Sequence, residues 1–305
     1  MPVQVKYEYP PDNGDLDDVI LWAHRLVNQL VKGEAETVTL YSGDYVYYVD
    51  ASESDQGAAG GGRSLKDLVD DIGTSKSATI VFRHSGTGNT TTYTLTTSET
   101  IPSNIALQFE NGSIVDGAGT LTINGPIKAG IHQIFGSSIT VSFGDALTAY
   151  PEWFGATGDG SDDAAAFTTL IEAMDNGGEI IVSKLHTIKG TDAGAFCHGI
   201  QINNSDITIR GLDNGTCGFT LSTDNDPGFI FREEQSANPT INDFRWTNLR
   251  FIGNGVTKIS QANAASRAIR LHSFHNIEID NCYFEDFSSG IFFGASGITV
   301  YSTNL

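Results

Sequence analysis

The sequence predicts a mainly-β chain whose larger part is a solenoid of short parallel strands, preceded by an N-terminal helical and β region. Three observations carry this. Only 18% of the 305 residues are charged, and Gly, Thr, Ser and Asn stand in their place, the residues of turns and exposed strand faces. Short apolar runs separated by polar turns repeat at roughly 20–35 residues after position 198, the period range of stacked repeats. No helix of about 10–15 residues intervenes between those runs, which excludes a doubly wound α/β fold. A parallel β-helix fits, because each coil then buries its inward side chains against the next.

The elements follow in order. Residues 1–14 are rich in Pro, Gly and Asp and read as an irregular arm. Over 15–32, Val19, Trp22, Ala23, Leu26, Val27, Leu30 and Val31 recur at three- and four-residue steps, so a helix with one apolar stripe is expected. Asp15, Asp17 and Asp18 suit its first turn, and Lys32 and Gly33 suit its end. That stripe packs either on its own domain or against copies of itself or a docking partner. Residues 38–50 are strand-like, 51–62 form a Gly-rich loop, and Ser64–Gly73 reads as a short capped helix with Leu65, Leu68, Val69 and Ile72 on one side. From Ala78 to Phe143 short β-runs alternate with Gly, Asn, Ser or Pro.

A new unit opens at Tyr150. Ser161 is the expected N-cap of a helix, with Asp162 and Asp163 in its first turn, where anions are favoured. Phe167, Leu170, Ile171 and Met174 form its apolar face, Asn176-Gly177-Gly178 ends it, and residues 179–182 are a strand. The expected division is therefore 1–45 (arm and helix), 46–149 (a small β-rich, β-helix-like domain) and 150–305 (cap helix and first coils).

Four repeats follow, 199–213, 228–254, 268–287 and 290–305. Each has a short apolar strand, a polar turn and a second strand. Phe244, Trp246, Leu249 and Phe251 overlie Ile277, Ile279, Cys282 and Phe284, and Asn248 overlies Asn281. Alternate residues point inward, so Ile207, Ile209, Phe244, Trp246, Ile277, Ile279 and Val300 are expected in one buried stack, with the asparagines hydrogen-bonding along it. Arg232 to Asn242 reads as an insertion looping out of the stack.

Charge excludes some partners. With 17 basic and 37 acidic residues the net charge is −20, which repels nucleic acid and anionic lipid except at a local basic patch. The longest apolar runs are far too short for a membrane span, and the N-terminus has no signal-peptide pattern. Cys197, Cys217 and Cys282 are odd in number and widely spaced, so buried free thiols are expected.

The stretch FGATGDGSDDAAAFTTLIEAM…GGEIIVS resembles the opening signature of pectate-lyase-like right-handed β-helix proteins, found in phage tailspikes and related glycan-active enzymes. Upstream, GSIVDGAGTLTINGPIKAGIHQIF followed by PEWFGATGDG is similar to the lead-in of many phage tail proteins, and YYVDASESDQG…SLKDLV to another β-helix opening segment. The resemblance covers about residues 46–305. Ser183, Leu185 and Thr187 stand where a Pro-x-Gly-x-Tyr turn often follows. The resemblance implies a right-handed parallel β-helix with an N-terminal attachment region, located in the virion tail. It further implies a homotrimer bound to other tail proteins and facing bacterial surface polysaccharide, as a structural adaptor, a glycan binder or a hydrolase or lyase.

The candidate chemistry is sparse. Asp159, Asp162 and Asp163 read as helix-start carboxylates satisfying orphan N–H groups. Glu278 and Asp280 flank inward Ile279 and so face the same way, roughly 7 Å apart along the strand. That spacing suits an inverting glycosidase pair, and these two are the catalytic candidates. The register sets Arg245 beside Glu278 and puts Arg210 in the Asp280 column, and an arginine beside a carboxylate makes a poor general acid. Glu233, Glu234, Glu285 and Asp286 read as solvated charge. His272 and His275 form an HxxH without a helix, a weak zinc signal. No metal or cofactor is expected. If the chain continues beyond residue 305, the active site can lie there.

Overall fold

The computed structural model describes residues 45–53, 63–85, 88, 90–189, 198–222, 229–233, 241–255, 266–271 and 274–293. The helix expected over 15–32, most of the loop over 51–62, His272, Glu234, Cys197 and Val300 lie outside the described residues. The first strands are β1 (Tyr45–Tyr48), β2 (Ala78–Phe82), β3 (Thr91–Thr94), β4 (Glu99–Ile101) and β5 (Ile105–Phe109). Then come β6 (Ser113–Asp116), β7 (Thr120–Ile123), β8 (Ile127–Lys128), β9 (Thr140–Phe143) and β10 (Leu147–Ala149). The next are β11 (Gly178–Val182), β12 (Leu185–Ile188), β13 (His198–Ile202), β14 (Ile207–Gly211), β15 (Gly218–Leu221) and β16 (Phe229–Glu233). The last are β17 (Ile241–Thr247), β18 (Arg250–Ile252), β19 (Arg267–Leu271), β20 (Phe274–Asp280), β21 (Tyr283–Glu285) and β22 (Ser289–Phe293).

These strands do not form hairpins. Except for β1/β2 and β10/β11, which are neighbours in one sheet and are separated by helical segments, consecutive strands enter different sheets, and the chain returns to each sheet one circuit later. The orders are β10-β11-β14-β17-β20, β12-β15-β18-β21 and β13-β16-β19-β22. The earlier part rotates in the same way through β1-β2-β5-β8, β3-β6 and β4-β7-β9. Pairing is parallel throughout, for example Arg245 with Glu278 and Trp246 with Ile279. The protein is thus mainly β, and its sheets are built from strands distant in sequence.

Two short helices interrupt the strands. In the helix Leu65–Ile72, Ser64 and Asp67 form a capping box. The Asp67 N–H donates to Ser64 Oγ at 3.1 Å, and Asp67 Oδ2 accepts from Ser64. Its Leu65, Leu68, Val69 and Ile72 are buried, as the spacing predicts. The helix Ala164–Ala173 buries Phe167, Leu170 and Ile171 and packs between β9 and β13. Asn176 ties its end to β9 through the Gly144 carbonyl at 2.8 Å. Gly177 follows at φ 75°, and a Cβ there would lie 2.4 Å from the Asp206 carbonyl oxygen, so this helix stop requires glycine.

Residues from Asp44 onward form one compact unit. A single hydrophobic cluster passes through the boundary expected at 149/150, containing Phe143, Ala149, Trp153 and Phe167. Inward positions stack by kind. Phe219, Phe251 and Phe284 are in register, with Phe251 and Phe284 parallel at 4.7 Å. Ile207, Ile209, Phe244 and Trp246 are fully buried, whereas Ile277 and Ile279 are half-buried on β20, which has a neighbour on one side only among the described residues. One boundary needs correction. Arg232 and Glu233 continue β16, and Ile241 and Asn242 already belong to β17, so the insertion is shorter than the polar composition of 232–242 suggests.

Candidate functional site

Asp159, Ser161, Asp162 and Asp163 lie between the 3-10 helix Pro151–Phe154 and the helix Ala164–Ala173. Asp163, not Ser161, occupies the N-cap position. Ser161 is exposed and donates its N–H to Asp159 Oδ1 at 2.9 Å. The correction has a local cause, since the Thr157–Asp163 segment folds on its own carboxylates before the helix begins. Asp159 is held down to about 2 by hydrogen bonds from Ser161 and Thr157. Asp162 accepts the N–H of Ala164 at 3.1 Å and of Lys189 at 2.8 Å, joining the helix start to the end of β12.

Asp163 does more than start a helix. It is 2% exposed and accepts N–H bonds from Thr157 at 2.8 Å and Gly158 at 2.9 Å, with His186 Nδ1 at 2.7 Å. Burial alone would raise its pKa, but the hydrogen bonds from His186, Thr157 and Gly158 outweigh burial and hold it below the usual carboxylate value. His186 Nδ1–H therefore donates. On the other side of the ring, Nε2 lies 4.0 Å from Glu152 Oε1, beyond hydrogen-bond reach; that oxygen accepts from Ser183 Oγ at 2.8 Å and faces Lys184 Nζ at 3.6 Å. The imidazole is fully buried against Phe167. This cluster fastens three segments together and offers no opening for a substrate. Sequence reasoning missed Glu152 and His186, though a histidine at an inward strand position, two before buried Ile188, was a visible signal.

Glu278 and Asp280 lie on the outer face of β20. Arg245, one circuit below, reaches both, at 3.2 Å from Glu278 and 3.6 Å from Asp280. Arg210, further down the Asp280 column, binds Glu179 through two nitrogens at 2.6 and 3.3 Å. A glycosidase general acid sits in an enclosed apolar surrounding. Here both carboxylates are more than half exposed and share one guanidinium. The arrangement is a ladder of ion pairs across circuits. Glu285 is likewise paired, with Arg250, and His275 is exposed on β20.

The corner that follows is different. Asn214, Gly215, Arg250 and Tyr283 line a shallow cleft of about 280 Å³. Asn214 Nδ2 donates to Asn281 Oδ1 at 3.1 Å, and Arg250 donates to the Gly215 carbonyl at 3.1 Å and to Glu285 at 2.7 Å. Tyr283 is 55% exposed. The repeat register could have found it, since it is a large aromatic at an outward position between inward Cys282 and Phe284.

No known family model, curated protein or solved structure matches this chain. The site is therefore read from its own geometry. Arg232 and Arg270 pair in register on β16 and β19, beside Arg267, but both are buried, so the cluster is not an open basic surface. Burial holds all three guanidinium pKa values below the ordinary one. Among the described residues no group of three or more His, Cys, Asp or Glu is arranged to hold a metal ion. No described helix is long and apolar enough to cross a membrane. Cys217 is a buried free thiol, and Cys282 is half-buried, with burial raising it to about 11.

Proposed function

We propose that the chain is a right-handed parallel β-helix of the phage-tailspike type, carried in the virion tail, that holds bacterial surface polysaccharide without cutting it at Glu278 and Asp280. The observation that carries this reading is the rotation of parallel strands through three sheets, which sets polar side chains in register along the outer face of β14, β17 and β20. The sequence around the helix Ala164–Ala173, FGATGDGSDD, supports the same family. Residues 1–45 then serve as the attachment or trimerisation segment, the assembly is a homotrimer, and its partners are other virion tail proteins and glycan.

The test is incubation of the protein with purified bacterial capsular and O-antigen polysaccharides, followed by size-exclusion chromatography. The expected result is co-elution with at least one intact polysaccharide. Oligosaccharide products that vanish in Glu278→Gln would make this chain a polysaccharide hydrolase or lyase instead. Absence of binding to every polysaccharide would remove the glycan reading and leave a structural adaptor.

A further inference from the structure

We infer that the corner cleft formed by Asn214, Gly215, Arg250 and Tyr283 is a subsite for one uncharged sugar ring, a conclusion that rests on the glycan reading above. The cleft is open and, at about 280 Å³, smaller than the roughly 300–1,000 Å³ of enclosed small-molecule pockets, so it offers a surface for at most a single ring and not a buried chain. Tyr283 supplies the apolar platform. Other large apolar side chains are exposed at Tyr45, Val46, Ile131 and Leu212, but Tyr283 is the one that lines this cleft. An exposed ring face accepts the C–H face of a pyranose, while its polar rim accepts the hydroxyl groups.

That rim is held in place before any ligand arrives. The Asn214 amide is fixed by Asn281, which itself donates to Asn248 Oδ1 at 2.9 Å, so three asparagines from successive turns share one network. Arg250 is fixed by Glu285 and by the Gly215 carbonyl. Groups ordered in this way bind with little further entropy loss.

Charge selects the neutral class. The chain carries a net charge of −20. The guanidinium in the cleft is neutralised by Glu285, and those on the adjacent face are neutralised by Glu278, Asp280 and Glu179. A polyanion would have to displace these carboxylates against the overall charge. A neutral polysaccharide would not.

The experiment uses the full chain and an array of purified bacterial polysaccharides of known composition, sorted into neutral and acidic sets. Tyr283→Ala, Tyr283→Phe, Asn214→Ala and Glu278→Gln are compared with the unaltered protein. The expected result is binding to neutral members that weakens at least about tenfold in Tyr283→Ala, the effect of removing an aromatic anchor. Tyr283→Phe and Glu278→Gln should retain binding. Tyr283 is more than half exposed, so an unchanged melting temperature is expected and would show that the loss is not unfolding. Binding that survives both Tyr283→Ala and Asn214→Ala would overturn the subsite and leave the glycan reading standing. Binding confined to acidic polysaccharides and lost with added salt would overturn the neutral class. Failure to bind any polysaccharide would overturn both.

Discussion

Acidic residues that look alike in the sequence have opposite energetics, and burial is what separates them. Asp163 is 2% exposed and accepts bonds from Thr157, Gly158 and His186, whereas Glu278 is an outer-face residue paired with Arg245. Asp163→Asn is expected to cost about 1–3 kcal/mol at pH 7, and Glu278→Gln about 0–1 kcal/mol, both measured by urea unfolding. The folded pKa of Asp163 is lowered. Its contribution is therefore complete above the unfolded value of about 3.9 and is lost as pH falls through the folded one. The gap between wild type and Asp163→Asn should shrink in unfolding curves taken at pH 3. A gap that stays constant would show that the charge is not what matters. His186 heads the column of Phe219, Phe251 and Phe284, so His186→Phe would pack well yet leave the buried Asp163 carboxylate without its Nδ1–H donor. A loss of about 1–3 kcal/mol is expected, and a neutral or stabilising result in the same assay would refute the role given to this cluster. The sequence marked Asp163 as a helix-start residue and stopped there, because a capping aspartate and a buried hydrogen-bonding one are spelt identically. The distinction comes from His186, which reaches Asp163 only once β12 has passed beneath it.

At the level of elements, strands of four residues or more over 78–143 were mostly legible, and the shortest were not. β17 and β20 have seven residues each, long enough to show alternation and a position-for-position repeat. β4, β8 and β10 have two or three residues. Such runs carry no readable period, and they are strands because neighbours in the stack supply their hydrogen bonds. The turns were only partly legible. Asp206, Asp243 and Asn276 occupy one column at φ 60°, 52° and 53°, and Asn248 and Asn281 another at 57° and 49°. Asn and Asp tolerate this left-handed conformation where most side chains do not. Within the second column Asn281 donates to Asn248 Oδ1 at 2.9 Å, and Asn248 donates to the Gly211 carbonyl at 2.8 Å. Asn248→Ala loses both the conformational tolerance and the ladder, and should cost about 1–3 kcal/mol. Asn248→Gly keeps the tolerance and should cost less. Chemical denaturation of the two variants decides the matter, and equal losses would mean that backbone conformation contributes nothing.

For the molecule as a whole, the parallel stack links every functional statement made above. It sets Arg245 against Glu278, brings Asn281 over Asn248, and turns Tyr283 outward at the corner. The repeat register foresaw the first two, because they follow from counting along the strands. The cleft was not foreseen, because it joins a turn after β14 to a strand two circuits later. Assembly is a separate expectation. Light scattering on the full chain should return three times 32.6 kDa, and a monomer at micromolar concentration would contradict a trimer in solution. The most direct test of the stack itself is a distance between circuits. Cysteines placed at 245 and 278 and spin-labelled should give frozen-solution EPR spectra strongly broadened relative to the sum of the two single-variant spectra, because paired strands lie about 4.8 Å apart. Lines no broader than that sum would place the two positions on separate parts of the molecule and contradict the parallel stack on which the account rests.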